Sequence, residues 1–438
     1  MGALRVAVVG SGPAGFYAAG SLLAAGLPVE VDMIERLPTP WGLVRLGVAP
    51  DHPKIKSVSR AFEKIALQPG FRFFGNVEVG RDIGADELLE YYDAVVYAVG
   101  AQTDRRLGIP SEDLPGSWPA TEFVAWYNGH PDFQHLEFDL DVERAVVIGV
   151  GNVALDVARM LALTAEELGP TDTTDAAIAA ICGAGIREIV VVGRRGPAQA
   201  AFTTPELAEL GELAGADVIV DVADLEGAES TDTNSERNLE VLREFAVRKP
   251  AGKPKRVVLK FFRSPVAILG EERVEAVELA RNVLDADNRA VATDDVEVLP
   301  CGLVFRSVGY RGVPLPDVPF DERSGTIPNE AGRIAPGLYC AGWIKRGPTG
   351  VIGTNKKDAT ETVELLLEDL RDVPRKGATA EDVDALLDTR GVRRVVYAGW
   401  LSIDEVERGA GEPLGRPRVK LCSWDELLAT AERLHSSL

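Results

Sequence analysis

Along the chain, short unbroken apolar runs alternate with stretches whose apolar residues recur every three or four positions, the pattern of buried strands followed by helices. Val6, Ala7, Val8 and Val9 lead through Gly10, Gly12 and Gly15 into Phe16, Ala19, Leu22 and Leu23, which predicts a strand, a tight turn and a helix. A second apolar strand, Val29 to Ile34, ends in Glu35. Prolines and glycines then forbid long regular structure up to about Pro53, although Trp41, Leu43 and Val44 suit a loop that covers a flat apolar ligand. Ile55, Val58, Phe62 and Ile65 mark an amphipathic helix, Phe71 to Val79 alternates into two short strands, and Tyr92 to Val99 is a buried strand closed by Gly100.

The opening design returns in Arg144 to Arg159, where an apolar strand meets Gly149, Gly151 and Ala154 and runs into Leu155, Val157, Ala158 and Leu161. VVYAVGAQ near Gly100 is likewise answered by LVFRSVGY near Gly309. The next strand of this second unit, Glu188 to Val192, ends in Gly193, Arg194 and Arg195, and Thr164 to Ile186 inserts extra helical material before it. RVVLKFF, after Lys255, alternates like an edge strand with its lysines outward. In Gly337 to Asp358 a short strand ends at Ala341 and Gly342, and Gly350 opens a helix without the GK[ST] ending of a nucleotide P-loop. Val373 to Leu438 reads as a polar linker and an α/β appendage.

The two glycine turns carry the chemistry. In G-x-G-x-x-G the first glycine turns the chain, the second lets a pyrophosphate approach, and the third lets helix and strand pack closely, with the helix N-terminus facing the phosphates. Glu35 lies about 20 residues beyond Gly15, the distance at which an acid reaches ribose hydroxyls, although a plain surface charge is the other reading. No carboxylate stands at the matching tip of the second unit; Arg194 and Arg195 there suit a 2′-phosphate, so that site is expected to prefer NADP over NAD.

The composition narrows the class. With 438 residues, 46% apolar, and a net charge of −21, the chain reads as a soluble globular protein that avoids nucleic acid and anionic membranes. Four scattered cysteines without C-x-x-C, and the absence of an export signal or a membrane-length apolar run, predict a cytoplasmic protein with reduced thiols, no redox cysteine pair, no iron–sulfur cluster and no bound metal. Arg243 to Arg263 is basic, with eight cations against Glu244 alone, and is a candidate dock for an acidic protein, as are Lys345 with Arg346 and Arg416 to Lys420.

Taken together, VVGSGPAGFYAA, PTPWGLVRLGVAPDHPKIK, VVIGVGNVALDVAR, VVGRRGPAQAAFTTPEL and AGWIKRGPTGVIGTNKKDA make the chain resemble the adrenodoxin-reductase-like ferredoxin–NADP reductases, specifically their actinobacterial branch. The resemblance implies an α/β fold of two Rossmann-like dinucleotide-binding domains, a discontinuous FAD domain of residues 1–104 and 332–438 with an NADP domain of residues 105–331 inserted. It places FAD on Ala14, Glu35, Leu43, Val79, Trp343, Gly350, Val351 and Ile352. It places NADP on Arg105, Gly151, Asn152, Val153, Ala154, Arg194, Arg195, Glu206 and Gly350. His52 and Glu209 are implied to move protons near the flavin and nicotinamide, His52 alternatively only ordering the flavin loop, with Asp156 a weaker candidate. The implied activity is hydride transfer from NADPH to FAD and single-electron delivery to an iron–sulfur ferredoxin. A flavin NADPH dehydrogenase serving a quinone or oxygen, an electron-input subunit of glutamate-synthase type and a non-catalytic flavin sensor are the alternatives.

Overall fold

The computed structural model describes residues 2–230 and 232–433. The chain forms two compact units, one of Met1–Thr103, Asn128–Asp132 and Tyr310–Leu438, the other of Asp104–Tyr127 and Phe133–Gly309. The return to the first unit thus comes at Tyr310, well before the expected residue 332. The cause is packing: Leu315, Val318, Phe320 and Ile327 join the apolar layer of Val9, Ile34, Tyr97 and Ile344, and Ile327 N donates to Ile344 O at 2.8 Å. Asn128–Asp132 also belongs to the first unit, where Asp132 pairs with Arg36 at 2.7 Å and accepts the Trp424 indole N–H at 2.8 Å.

The first unit is built on a six-stranded sheet in the order Arg333–Ala335, Leu338–Cys340, Ala94–Tyr97, Leu4–Val9, Val29–Glu35, Phe71–Gly75. Every neighbouring pair is parallel except the first. The central strand Leu4–Val9 is buried at every position, because both faces of a parallel sheet are covered, and it feeds the helix Pro13–Leu23. Ile55 to Ile65 is not one helix: Pro53–Lys56 and Ser59–Ala66 are separated by a turn. Phe71 to Val79 gives one strand and an isolated bridge between Val79 and Ile83 rather than two strands.

The C-terminal region is helical, not α/β. Ala380–Thr389, Tyr397–Gly411 and Trp424–Glu432 are helices, and among its described residues only an isolated bridge, Val395 to Gly75, is extended. It is no appendage, since Val383 and Leu387 bury on one side of the sheet and Trp400, Ile403 and Leu427 on the other.

The second unit repeats the plan with a wholly parallel sheet in the order Ser117–Pro119, Leu303–Arg306, Arg144–Ile148, Glu188–Val192, Lys255–Lys260, Ala216–Val220. The Lys255–Lys260 strand is therefore interior, not an edge. Ala216–Val220 pairs outside it, a neighbour that local alternation cannot reveal. The helices Ala165–Leu168 and Asp175–Cys182 are the inserted material expected between Thr164 and Ile186. A three-stranded antiparallel sheet, Arg263–Leu269, Ala276–Leu284 and Ala290–Pro300, completes the unit.

Candidate functional site

Each unit carries one glycine cradle at the carboxyl end of its central strand, where strand order reverses and doubly wound sheets open a crevice for ligands. In the first, a Cβ on Gly15 would fall 2.0 Å from the Gly10 carbonyl oxygen, so only glycine lets the helix start this close to the strand. Gly12, by contrast, faces open space with nothing within 4 Å of an added Cβ. The helix Pro13–Leu23 has no side-chain cap and no acid in its first turn, which leaves its N–H donors and positive dipole end for an anion.

Glu35 stands at the tip of the neighbouring strand and turns back to the same cradle. Its Oε2 accepts from Ser11 N at 3.0 Å and Ser11 Oγ at 2.7 Å, and its Oε1 accepts from Leu37 N at 2.9 Å. The loop predicted to be a cover passes directly over the turn. Trp41 N donates to Ser11 O at 3.1 Å, and a Cβ on Gly42 would lie 2.9 Å from Gly12 Cα. Trp41 packs against Phe16 and Trp400, with centroids 4.7 and 6.2 Å apart.

That loop is clamped by charge. Arg45, in the short helix Leu43–Leu46, grips Glu407 of the Tyr397–Gly411 helix with two hydrogen bonds of 2.8 and 2.5 Å and lies over the Trp400 ring at 5.1 Å. Glu407 is fully buried and also accepts from Arg418 at 3.0 Å and from Leu421 N at 3.0 Å. Burial resists its ionisation, but the Arg45 and Arg418 guanidiniums prevail and hold the carboxyl below the usual range.

Ala14 is buried against Gly342, where an added Cβ would stand 2.5 Å from the Ala14 Cβ. Gly342 N donates to Asp358 at 2.5 Å, and Lys345 pairs with the same carboxylate at 3.0 Å. The next residue, Trp343, carries a buried indole N–H with no protein acceptor among the described residues. Gly350 and Val351 precede the helix Ile352–Asp369, which has no acid in its first turn. Leu43 stands half exposed on the covering loop, and Val79 is buried one short turn beyond Val77, whose N–H binds the Glu35 carbonyl at 3.0 Å.

In the second cradle an added Cβ on Gly149 would fall 2.0 Å from the Ser307 carbonyl oxygen, Gly151 faces open space, and Ala154 is fully buried. The helix Asn152–Ala162 again lacks a side-chain cap and an acid in its first turn. Asn152 Oδ1 accepts from Thr203 N at 2.8 Å, and Val153 packs on the apolar core. Arg194 is exposed at the strand tip, Arg195 donates to the Gln199 carbonyl at 3.3 Å, and Arg105, also exposed, hydrogen-bonds through its N–H to Gly309 O at 2.9 Å. The two tips have opposite charge, Glu35 in one unit and paired guanidiniums in the other.

Glu206 and Glu209 of the helix Thr204–Leu210 share a partner with Asp156. Arg159, buried, reaches Glu206 at 3.4 Å, Glu209 at 3.6 Å and Asp156 at 2.8 Å. His52 is buried in the first unit at the head of the helix Pro53–Lys56. His52 and Glu209 therefore belong to different units.

Many cations of the basic stretches have partners within the protein, although Arg243, Arg248, Lys249 and Arg256 stand exposed. Arg256 pairs with Glu188, while Lys260 and Arg263 pair with Glu297 at 3.0 and 3.3 Å. Arg243, Arg248, Lys253 and Lys255 bind the carbonyls of Ala228, Gly211, Leu213 and Leu161. Arg418 serves Glu407 and Asp404, Lys420 binds Arg45 O at 3.3 Å, and Lys345 is paired with Asp358. Sequence reasoning missed Arg45, Glu407, Asp358 and Gly42. Arg45 and Gly42 sit in a quoted motif, whereas nothing local marks Glu407.

Both cradles fit a dinucleotide: each leaves one open glycine face beside an uncapped helix start, and the first adds an orphaned indole donor. The profile of the pyridine nucleotide-disulphide oxidoreductase family matches residues 4–174. The chain is 54% identical to the NADPH-ferredoxin reductase FprA of Mycobacterium tuberculosis over 97% of its own length and 98% of that protein. It is 45% identical to the human mitochondrial NADPH:adrenodoxin oxidoreductase, over 97% of this chain and 91% of that one. The solved structure of M. tuberculosis FprA in complex with NADPH superposes with a TM-score of 0.95 at 53% identity, covering 98% of this chain and 99% of the other. With this likeness running through both cradles and nearly end to end, the chain belongs to the adrenodoxin-reductase-like family of ferredoxin–NADP reductases.

Proposed function

We propose that the protein is a cytoplasmic, FAD-dependent NADPH–ferredoxin oxidoreductase. The observation that carries this reading is the pair of glycine cradles with opposite charge at their strand tips, one beside Glu35 and one beside Arg194 and Arg195. When bound, FAD and NADPH supply hydride chemistry, and the flavin supplies the change from two-electron to one-electron transfer that an iron–sulfur ferredoxin requires.

The protein's own contribution is binding and alignment. The open faces of Gly12 and Gly151 admit pyrophosphate to the N-terminal turns of their helices. Glu35 receives ribose hydroxyls, its orientation preset by Ser11 and Leu37. Ala14, Leu43, Val79, Trp343, Gly350, Val351 and Ile352 line the flavin side, with the Trp343 indole offering its unused N–H. Arg194 and Arg195 hold the 2′-phosphate, joined on the NADP side by Arg105, Asn152, Val153, Ala154 and Glu206. The His52 imidazole and the Glu209 carboxylate carry protons to and from the reacting rings. Among the described residues no helix is long and apolar enough to cross a membrane.

The test is anaerobic reduction of the purified yellow protein, followed by the loss of its flavin band. NADPH is expected to bleach the band at far lower concentration than NADH, and cytochrome reduction to depend on added ferredoxin. A colourless protein that takes up no FAD, or bleaching without ferredoxin-stimulated cytochrome reduction, defeats the proposal.

A further inference from the structure

The arginine-bearing turn of the second cradle is held from outside the parallel sheet. Asn282 belongs to the Ala276–Leu284 strand of the three-stranded antiparallel sheet and is 3% exposed. Its Nδ2 donates to the Arg194 carbonyl at 2.6 Å and to Ser264 Oγ at 2.8 Å, while its backbone N–H donates to Phe262 O at 2.8 Å. The pairing register shifts between Ala280 and Asn282, a bulge that re-aims the side chain out of the strand's regular alternation.

The same short crossover supports the turn at other points. Phe262, held at φ 55°, donates its N–H to Arg195 O at 3.1 Å, and Arg263 N donates to Gly193 O at 2.9 Å. The Phe262 ring lies so near Gly196 that a Cβ there would meet it at 2.6 Å. Asp224, buried, accepts the Phe261 N–H at 2.9 Å and fixes the crossover from below. Among these supports only Asn282 hydrogen-bonds the turn through a side chain, and it binds the peptide of the exposed Arg194 itself. Its Oδ1 is buried and accepts nothing among the described residues. A buried amide that keeps one end unsatisfied while its other end bridges two acceptors is costly for stability alone, which directs attention to what the bridge positions.

We propose that Asn282 is a positioning residue for coenzyme selectivity: by fixing the Arg194 peptide it aims that guanidinium at the 2′-phosphate of NADPH. This rests on the reading of Arg194 and Arg195 as the 2′-phosphate site. Without the bridge the turn keeps its supports at Gly193 and Arg195 but loses the one at Arg194, so the penalty falls on the phosphorylated coenzyme alone.

The test compares Asn282→Leu with the parent holoenzyme. Leucine keeps the branched shape of asparagine and removes the unsatisfied Oδ1 together with the donor, but its methyl groups need more room than the 2.6 Å contact to Arg194 O gives. Asn282→Ala, which removes the bridge without crowding, is therefore the second variant, and Tm and FAD content report the fold of both. Loss of one charge-orienting hydrogen bond is expected to raise KM for NADPH about tenfold and to weaken 2′,5′-ADP binding as much. KM for NADH, affinity for 5′-ADP, kcat and FAD content are expected to stay within about twofold. A purely structural role would weaken both nucleotides together, and that result, or unchanged affinity for 2′,5′-ADP, overturns the proposal. The Arg194→Ala, Arg195→Ala double variant separates the two ideas. If it loses the preference for NADPH while Asn282→Leu keeps it, Asn282 is not the positioning group; if it keeps the preference, the phosphate-site reading itself fails.

Discussion

At the scale of single residues, the two glycines of one cradle do different work, and the difference is measurable. Gly15→Ala places a Cβ 2.0 Å from the Gly10 carbonyl, so the helix must retreat from the strand. Gly12 has an ordinary extended backbone and open space around it, so alanine fits the protein and obstructs only what approaches from outside. Gly15→Ala is therefore expected to lower Tm by several degrees, consistent with an overpacking cost of about 1–3 kcal/mol. Gly12→Ala is expected to leave the apoprotein Tm within about a degree while weakening FAD binding at least tenfold. Thermal unfolding of the apoproteins and FAD titration check both; equal Tm losses in the two variants would count against the division of labour. These roles were legible in the sequence because glycine spacing between an apolar strand and an apolar helix encodes them. Asn282 was not legible, since nothing near it announces that its strand folds back onto Arg194.

At the scale of elements, the flavin loop depends on a helix far along the chain. Glu407 is wholly buried between Arg45 and Arg418, so removing its charge leaves the buried Arg45 guanidinium without its counter-ion and Arg418 with Asp404 alone, a loss of about 3–5 kcal/mol for a broken buried pair. Glu407→Gln is accordingly expected to release FAD at neutral pH and lower temperature, with the Trp41–Gly47 loop loosened from the Trp400 face. The native carboxyl titrates below its ordinary value of 4.5, so its contribution is complete above that value and fades as pH falls through the depressed one. Native protein should hold FAD down to about pH 4.5 and shed it on further acidification, whereas the glutamine variant should lack that acid step. Flavin fluorescence against pH reads both; a variant that binds FAD like the parent refutes the clamp. The element-level errors have one physical source. VVYAGWLSI carries β-branched and aromatic residues of strand type, yet tertiary packing of Trp400 and Ile403 makes it helix. RVVLKFF looked like an edge because alternation reports which faces are wet, not whether another strand lies alongside.

At the scale of the whole molecule, charge sets the problem of partner choice. A chain of net charge −21 must meet an acidic ferredoxin through a local positive surface, and Arg243 to Arg263 is its densest basic run. Part of that run is paired within the protein, since Glu188 ties Arg144 and Arg256 on the strands flanking its own and Glu297 ties Lys260 and Arg263, whereas Arg243, Arg248 and Lys249 stand exposed. Of these pairs Lys260–Glu297 links the parallel sheet to the antiparallel one, and a cation so paired has less charge left to offer a partner. Lys260→Glu sets a new carboxylate against that of Glu297 at a contact now 3.0 Å long and sits two residues from Phe262, which supports the Arg195 turn. It is expected to lower Tm by a few degrees and to reduce NADPH-dependent dye reduction and ferredoxin reduction by the same factor. A dock would respond differently, because reversal there slows electron transfer to ferredoxin while sparing the dye, which takes electrons without docking. Steady-state assays with both acceptors at two ionic strengths decide between these outcomes, since partner attraction is screened by salt and damage to the fold is not. Selective, salt-dependent loss of ferredoxin reduction in Lys260→Glu would show that the run faces the partner after all.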